Sequence, residues 1–565
     1  MKRETREKII HRFSEIPKNL VDGMLMVERQ PHTAPVEHLT VCGEGRQTGA
    51  YYFLARYFDM IDDATAESIA CEVIKLQNTE RDSVFFGCMR WYREEPYISD
   101  SNGAFFVMLP FALALFLMED KLTPAEKEAI RLMLTRGGDW FSRASRGSLY
   151  YTNKVTSDGA ILALISKTLG KFDKECHDFW DTWLDYVDEH GFGWGENTSD
   201  VYSMITLTAL SIASIAMDGE LGDRIKAKRH ALLKHVAFYG NGEIIPSVRT
   251  YNFSATADFG GSVYKAMLMP DKLPLLSDLL SAVAIQLARE DGDEDLFFSD
   301  HAGVRCERIY DNSYAYTYKT ENFTLGSISN FPPMPGCYQT KTWGLGWQTM
   351  PVSAMVKDGY VAFLRLSVVQ NGVKRTHPAR DKHSAHLMSR LFTDNLPPSY
   401  YLRCSQEENK VVAIRRITAL ANSAEYIADG WCMPGERKVE TYSMGGVNWY
   451  VIDDRIAVRP LRGVGVLSES RESPRVEVKT EGGFTSVEAI LYEGDSRTLF
   501  KDYIESAWAI IAIEKLSDLD AVTLVDEDVQ DRKIPRAPYM KKRRITLSDA
   551  NGSASLDYEP YETLM

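Results

Sequence analysis

The chain lacks most of the signals that assign a sequence quickly. Its 8 cysteines are scattered with no Cys-x-x-Cys pair, which argues against a zinc ribbon and favours reduced core thiols over a disulfide framework. The first residues, Met1-Lys2-Arg3-Glu4-Thr5-Arg6-Glu7-Lys8, contain no apolar leader segment. No run approaches the roughly 18 uninterrupted apolar residues of a membrane span; Leu109 to Met118 is shorter and reads as a buried helix. These absences predict a cytoplasmic protein with no membrane partner, or a secreted or periplasmic one if a leader has been trimmed. Positive charge is in deficit, 65 Lys and Arg against 79 Asp and Glu, for a net charge of -14. Nucleic acid is therefore not an expected partner, although a local basic cleft for a polyanion remains compatible with that total. There is no Gly-x-x-x-x-Gly-Lys phosphate loop, no Gly-x-Ser-x-Gly elbow and no His-Glu-x-x-His. The Gly-x-Gly pairs at Gly191 and Gly344 lack a strand-turn-helix setting.

At 565 residues, 44% hydrophobic and 25% charged, the chain is long enough for two or three domains with ample core. Its first half has apolar residues at three-four spacing over Ala50 to Ile61, Ala104 to Met118, Pro124 to Arg143, Ser157 to Leu169, Lys174 to Asp188, Val201 to Met217 and Arg224 to Tyr239. Thr123-Pro124-Ala125-Glu126 is a helix start, with Thr as cap and Glu three residues later. Polar loops precede helices near Gln47, Asn102, Asn153, Asn197 to Tyr202 and Tyr251, at steps of about 50 residues, the length of a helical hairpin. Stacked hairpins of that length predict an (α/α) toroid with the loops converging at one end.

The second half changes period. Asn322 to Ser329, Gly359 to Val369, Tyr400 to Leu420, Lys438 to Leu461, Phe484 to Tyr492, Ala507 to Glu514 and Ala521 to Asp526 are rich in β-branched and aromatic residues. Gly445-Gly446-Val447-Asn448 and Asp453-Asp454-Arg455 read as hairpin turns. Many strands without intervening helices predict an antiparallel β-sandwich, so the fold class is multidomain α+β. The acidic linker Asp291 to Asp295 puts the expected division at 1–298 for the toroid and 299–565 for the sandwich.

Two loop-to-helix segments stand out: Tyr150-Tyr151-Thr152-Asn153-Lys154, and Gly193-Trp194-Gly195-Glu196-Asn197-Thr198-Ser199-Asp200-Val201-Tyr202. Together with the order of helices and then strands, they resemble the heparinase II/III-like polysaccharide lyases and, more distantly, the chondroitin AC and hyaluronate lyases. Where that family's loop often has Pro after the Ser and His after the Tyr, this chain has Asp200 and Ser203. The resemblance implies metal-independent, cofactor-free β-elimination on a uronic-acid-containing polysaccharide or oligosaccharide. Such chemistry needs a neutral amide or cation facing the substrate carboxylate, and groups to move protons at C5 and at the leaving oxygen. By resemblance Asn153 is the neutraliser and Tyr202 the acid or acid/base. On purely structural grounds Asn153 is a helix cap and Tyr202 a helix-surface aromatic.

The rival pair lies one hairpin later, where Arg249 and Tyr251 have equivalent chemistry and Asn197 precedes Tyr251 at a similar separation. Lys374-Arg375-Thr376-His377-Pro378-Ala379-Arg380-Asp381-Lys382-His383-Ser384-Ala385-His386 concentrates three of eleven histidines beside four cations. The resemblance makes it the source of a base, His383 or His386, with Arg375 or Lys382 binding a carboxylate. On a strand the two histidines point to opposite faces, so at most one serves. No carboxylate or Cys cluster completes a metal site there. Trp91, Trp194, Trp343 and Trp347 fall in loops or at segment ends, where flat rings can stack on sugars, and Glu196 and Asn102 are further substrate-binding candidates. Two alternatives remain at this level. One is an inverting glycoside hydrolase using two of Glu196, Asp200 and Asp258. The other is a noncatalytic glycan-binding protein; either way, a homo-oligomer is possible.

Overall fold

The computed structural model describes the chain except residues 145–147, 194, 253, 300, 333–348, 358, 375–399, 418–419, 421, 445–446, 462–463, 466–473, 498–503, 530–541 and 559–565. Two compact units result. Met1–Glu189, Tyr202–Asn241 and Gly261–Ser299 form one; His190–Val201, Gly242–Gly260 and Asp300–Met565 form the other. The main division thus falls at Ser299, beside the acidic linker, but two loop segments of the helical half belong to the second unit.

The first unit is built of helical hairpins: α1 (Arg3–Glu15), α2 (Gly45–Tyr57), α3 (Asp63–Val73), α4 (Gly103–Met118), α5 (Pro124–Ala144), α6 (Thr152–Leu169), α7 (Asp173–His190), α8 (Asp200–Ala216), α9 (Gly219–Ala237), α10 (Ser262–Leu268) and α11 (Leu276–Leu287). They form two layers of different composition. Nearly every residue of α4 is buried, and α2, α6 and α11 are close to it, whereas α5 and α7 bury one stripe and leave the rest to solvent. That is the inner and outer wall of an (α/α) toroid. The stretch Gly103–Lys121 is apolar and long enough to cross a membrane, but 72% of it is buried within the protein, so it is a core helix.

Local chemistry explains the helix positions. Glu126 Oε2 accepts from the Thr123 amide at 2.8 Å while Thr123 Oγ1 accepts from the Glu126 amide at 3.3 Å, the reciprocal capping that starts α5. Within the α6–α7 hairpin, Trp180 Nε1 donates to the Gly159 carbonyl at 3.1 Å. A methyl on Gly159 would sit 2.2 Å from the Phe179 ring, so glycine sets how closely the two helices approach. The α6 start corrects the sequence reading: the helix begins at Thr152, not near Thr156, so Asn153 lies inside its first turn and does not precede it. Helices α3, α10 and α11 escape periodicity because they are short or apolar on most faces, and α1 because it is mostly charged and buries only Thr5, Ile9 and Phe13.

The second unit contains three antiparallel sheets. The largest runs Arg475–Glu481, Phe484–Arg497, Ala424–Pro434, Val361–Gln370, Val352–Val356, Phe323–Ile328, Ser313–Lys319, Gly303–Tyr310, with Val373–Lys374 beside its centre. The next runs Val439–Met444, Val447–Ile452, Ile456–Pro460, Ile504–Ala512, Lys410–Ile417, Tyr400–Glu407, Asn330–Phe331, with Val464–Gly465 at one side. Strand alternation gives this second sheet two cores. Val411, Ala413, Trp508 and Ile510 face the first sheet, in one cluster with Leu364, Ile427 and Val487. Val412, Ile414, Ala509 and Ile511 face the third sheet (Thr523–Val529, Lys542–Asp549, Gly552–Tyr558) with Ile545 and Leu547. The sandwich is therefore backed by a third layer.

The two longest β-rich segments, Tyr400 to Leu420 and Lys438 to Leu461, both contain hairpins. Tyr400–Glu407 turns through Glu408, at φ 46°, into Lys410–Ile417. Asp453 and Asp454, at φ 48° and 54°, turn Val447–Ile452 into Ile456–Pro460. Asp453-Asp454 was legible as a turn, whereas Glu408-Asn409 has no glycine or proline to announce one.

Candidate functional sites

In the helical unit, five helices present their N-terminal halves to one cavity with about 490 Å³ of open space. Its polar groups are Arg46 of α2, Ser157 of α6, Thr208 of α8, and Ser277 and Ser281 of α11. Its apolar walls come mainly from α4, with Phe105, Phe106, Leu109 and Pro110. Pro110 has no amide, so it leaves the fourth residue before it, Phe106, without the usual helical donor. Gln47 ties the wall together: its Nε2 donates to Ser277 Oγ at 3.0 Å and its Oε1 accepts from the Ser277 amide at 3.3 Å.

Asn153 and Tyr202 occupy the first turns of α6 and α8 and are 2% and 8% exposed. One turn further on, Ser157 and Ile205 line this cavity. Each of the two therefore stands one turn before a lining residue of its own helix, and neither lines the cavity itself. Beside Asn153, Lys154 Nζ is 2.8 Å from Asp158 Oδ2, so that cation is neutralised within α6. Asn102 caps α4, and its Nδ2 donates to Tyr151 Oη at 3.3 Å, linking two of the polar loops. Trp91 differs from expectation. It is 4% exposed and packed edge-on to His32 at 4.6 Å and tilted against Phe106 at 4.9 Å. Its ring belongs to a small core with Val36, Cys42 and Tyr92 and offers no free face to a sugar.

Sequence reasoning missed Arg46. Its guanidinium lies 4.4 Å over the Phe106 ring, Nε is buried without an acceptor, and no carboxylate among the described residues pairs with it. Burial pushes its pKa down, against the opposing pull of the Asp278 and Glu44 charges. The arginine follows Gly45 at a helix start with no motif around it, so only the tertiary structure reveals it.

In the second unit, the segments His190–Val201 and Gly242–Gly260 come together. Gly195, at φ 100°, starts the turn Glu196–Thr198, and a side chain there would press on Ile309 and Val248 at 3.1 Å. The Val248 amide donates to the Thr198 carbonyl at 3.0 Å, and Ser199 Oγ donates to the Arg249 carbonyl at 3.0 Å. Arg249 and Glu196, both expected to bind substrate, instead meet each other: Arg249 Nη1 contacts Glu196 Oε1, with side chains 2% and 0% exposed. The two charges offset each other inside the unit. Asn197 is 2% exposed and its Nδ2 donates to the Arg308 carbonyl at 3.3 Å. Tyr251 is half-buried in the same segment. Of the hydrolase carboxylates, Glu196 is held by Arg249, Asp200 is 1% exposed and Asp258 is at the surface.

Glu243, also unforeseen, is fully buried. Its carboxyl accepts from Asn252 Nδ2 at 2.9 Å and from Thr250 Oγ1 at 3.3 Å. Burial, then the nearby Asp200 charge, push its pKa up to about 8.

Trp194, Trp343, Trp347, Arg375, Lys382, His383 and His386 lie outside the described residues. Among the described residues, no cluster of His, Cys, Asp and Glu is arranged to hold a metal ion.

No family model matches the sequence, and no curated protein matches it. Among solved structures, the chain is similar to heparinase III, at 9% identity and a TM-score of 0.47, covering 91% of this chain and 82% of that one. It is similar also to a mutant of the heparan sulfate lyase HepC from Pedobacter heparinus, at 8% identity and 0.42, covering 100% and 90%. A third is a mutant chondroitin AC lyase from Streptomyces coelicolor A3, at 10% and 0.47, covering 99% and 88%. At such identities the likeness is one of fold and carries no residue's role across.

Proposed function

We propose that this protein is a glycan lyase that cleaves a uronic-acid-containing polysaccharide or oligosaccharide by β-elimination, with its reacting centre at the helical cavity. The observation that supports this reading is the placement of Asn153 and Tyr202, an uncharged amide and a phenol, in the first turns of two helices whose next turns wall one cavity. Asn153 faces the substrate carboxylate and stabilises the charge that develops on it as the C5 proton leaves. Tyr202 transfers protons: it takes the C5 proton or delivers one to the bridging oxygen as the C4–O bond breaks. The electron pair of the C5–H bond becomes the C4=C5 double bond, and the leaving sugar departs with a hydroxyl. His383 and His386 are the first histidines to substitute when seeking a partner base. The pairing of Glu196 with Arg249 weighs against the hydrolase alternative, which needs accessible carboxylates.

Incubation with uronic-acid polymers and oligomers, followed at the absorbance of the unsaturated uronate, tests the reading. The chromophore is expected to appear, and Asn153→Ala and Tyr202→Phe to slow it by roughly 10²–10⁴-fold without unfolding the chain. Reducing ends without the chromophore identify a hydrolase instead. Binding without turnover identifies a noncatalytic glycan-binding protein.

A further inference from the structure

The elimination chemistry uses none of the cavity's five polar side chains. Arg46 holds a positive charge partly out of water with no carboxylate paired to it among the described residues, its Nε is buried and its guanidinium lies over Phe106. An uncompensated charge of this kind costs stability that a bound anion restores. Ser157 is 3% exposed and lines the cavity. Ser281 adds a second hydroxyl to the cavity from α11. The remaining wall is mainly apolar and aromatic.

We infer that this cavity binds a sugar acid, with Arg46 gripping the carboxylate through its fork of N–H donors and Ser157 and Ser281 hydrogen-bonding ring hydroxyls. With Nε buried, the outer Nη edge is what remains for the ligand, and a planar carboxylate fits a planar guanidinium in two parallel bonds. Leu109 and Pro110 supply apolar surface for the sugar's apolar face. Ser157 lies one turn beyond Asn153 on α6, so a sugar held here adjoins the proposed reacting centre. The identity of the sugar as a uronate rests on the lyase reading; the anion site does not.

The test is ligand-observed NMR or calorimetry on the full chain with free glucuronate, glucose and inorganic sulfate. Glucuronate is expected to bind saturably, at least tenfold more weakly to Arg46→Met, with part of the affinity restored in Arg46→Lys. Ser157→Ala, which keeps the charge and removes only a hydroxyl, is expected to weaken binding several-fold and keeps the test valid if Arg46→Met does not fold. Glucose is expected not to bind. Undiminished binding by Arg46→Met, glucose bound as well as glucuronate, sulfate bound as tightly as glucuronate, or no saturable glucuronate binding would each overturn the inference. The two proposals separate cleanly. A chain that releases unsaturated uronate from polymers yet does not bind free glucuronate sinks this inference alone. One that binds glucuronate through Arg46 and yields no product sinks the lyase reading alone.

Discussion

Glu243 offers the most direct check on the second unit, because its protonation ties stability to pH. Its carboxyl is fully buried, near the Asp200 charge, and keeps its proton up to about pH 8, against an ordinary value of 4.5. In the unfolded chain it ionises at that ordinary value. Between the two the folded state therefore holds the extra proton, so stability falls as pH rises; it is complete below about 4.5 and has been lost above about 8. From 4.5 to about 8, at about 1.4 kcal/mol for each pH unit, the loss approaches about 5 kcal/mol. Glu243→Gln mimics the protonated form, since its oxygen can still accept from Asn252 and its amide can donate to the Thr250 hydroxyl. Urea melts of both proteins at intervals from pH 4.5 to 8.5 read the effect. The variant is expected to match the native chain near pH 4.5 and to exceed it by several kcal/mol near pH 8. Parallel curves for the two proteins would refute the reasoning, showing that Glu243 ionises in the folded state much as it does in water.

Two further perturbations test the packing. In the sandwich core, Asp429 accepts from Arg415 Nε at 2.9 Å, Ser506 Oγ at 2.5 Å and Trp508 Nε1 at 3.2 Å. Asp429→Ala is expected to cost about 3–5 kcal/mol in denaturant melts by stranding the guanidinium, with much of that recovered when Arg415→Met is added; a double variant no better than the single one counts against this account. In an open helix Gly→Ala stabilises by about 1 kcal/mol, but at Gly159 the clash with Phe179 is expected to win by about 1–3 kcal/mol. A rise in Tm for Gly159→Ala would show that α6 and α7 are less closely packed than described.

Much of the fold was legible because its signals are local. Apolar spacing located the long amphipathic helices α5, α7 and α9, and the capping pair Thr123 and Glu126 marked where α5 begins. The change to β-branched runs marked the second half. Less legible were elements without contrast. The hairpin at Glu408-Asn409 carries no glycine or proline, α11 is apolar on most faces, and α6 absorbs the polar Thr152 and Asn153 into its first turn because its surroundings bury them. The candidate site divided in the same way. Polar residues at helix entrances drew attention to Asn153 and Tyr202, but the same texture made Glu196 and Arg249 look like substrate contacts, although they satisfy each other.

The sequence by itself determined the order of helices and strands and the short list of polar loops, since each depends on spacing within a few residues. Only the tertiary structure decided which polar groups are partners and which are open. A charge is neutralised or exposed according to what lies within a few ångströms, and those neighbours come from distant parts of the chain. That is why Arg249, 53 residues from Glu196, is held in an ion pair, while Arg46, with no motif to announce it, lines a cavity with Ser157 and has no ion pair among the described residues.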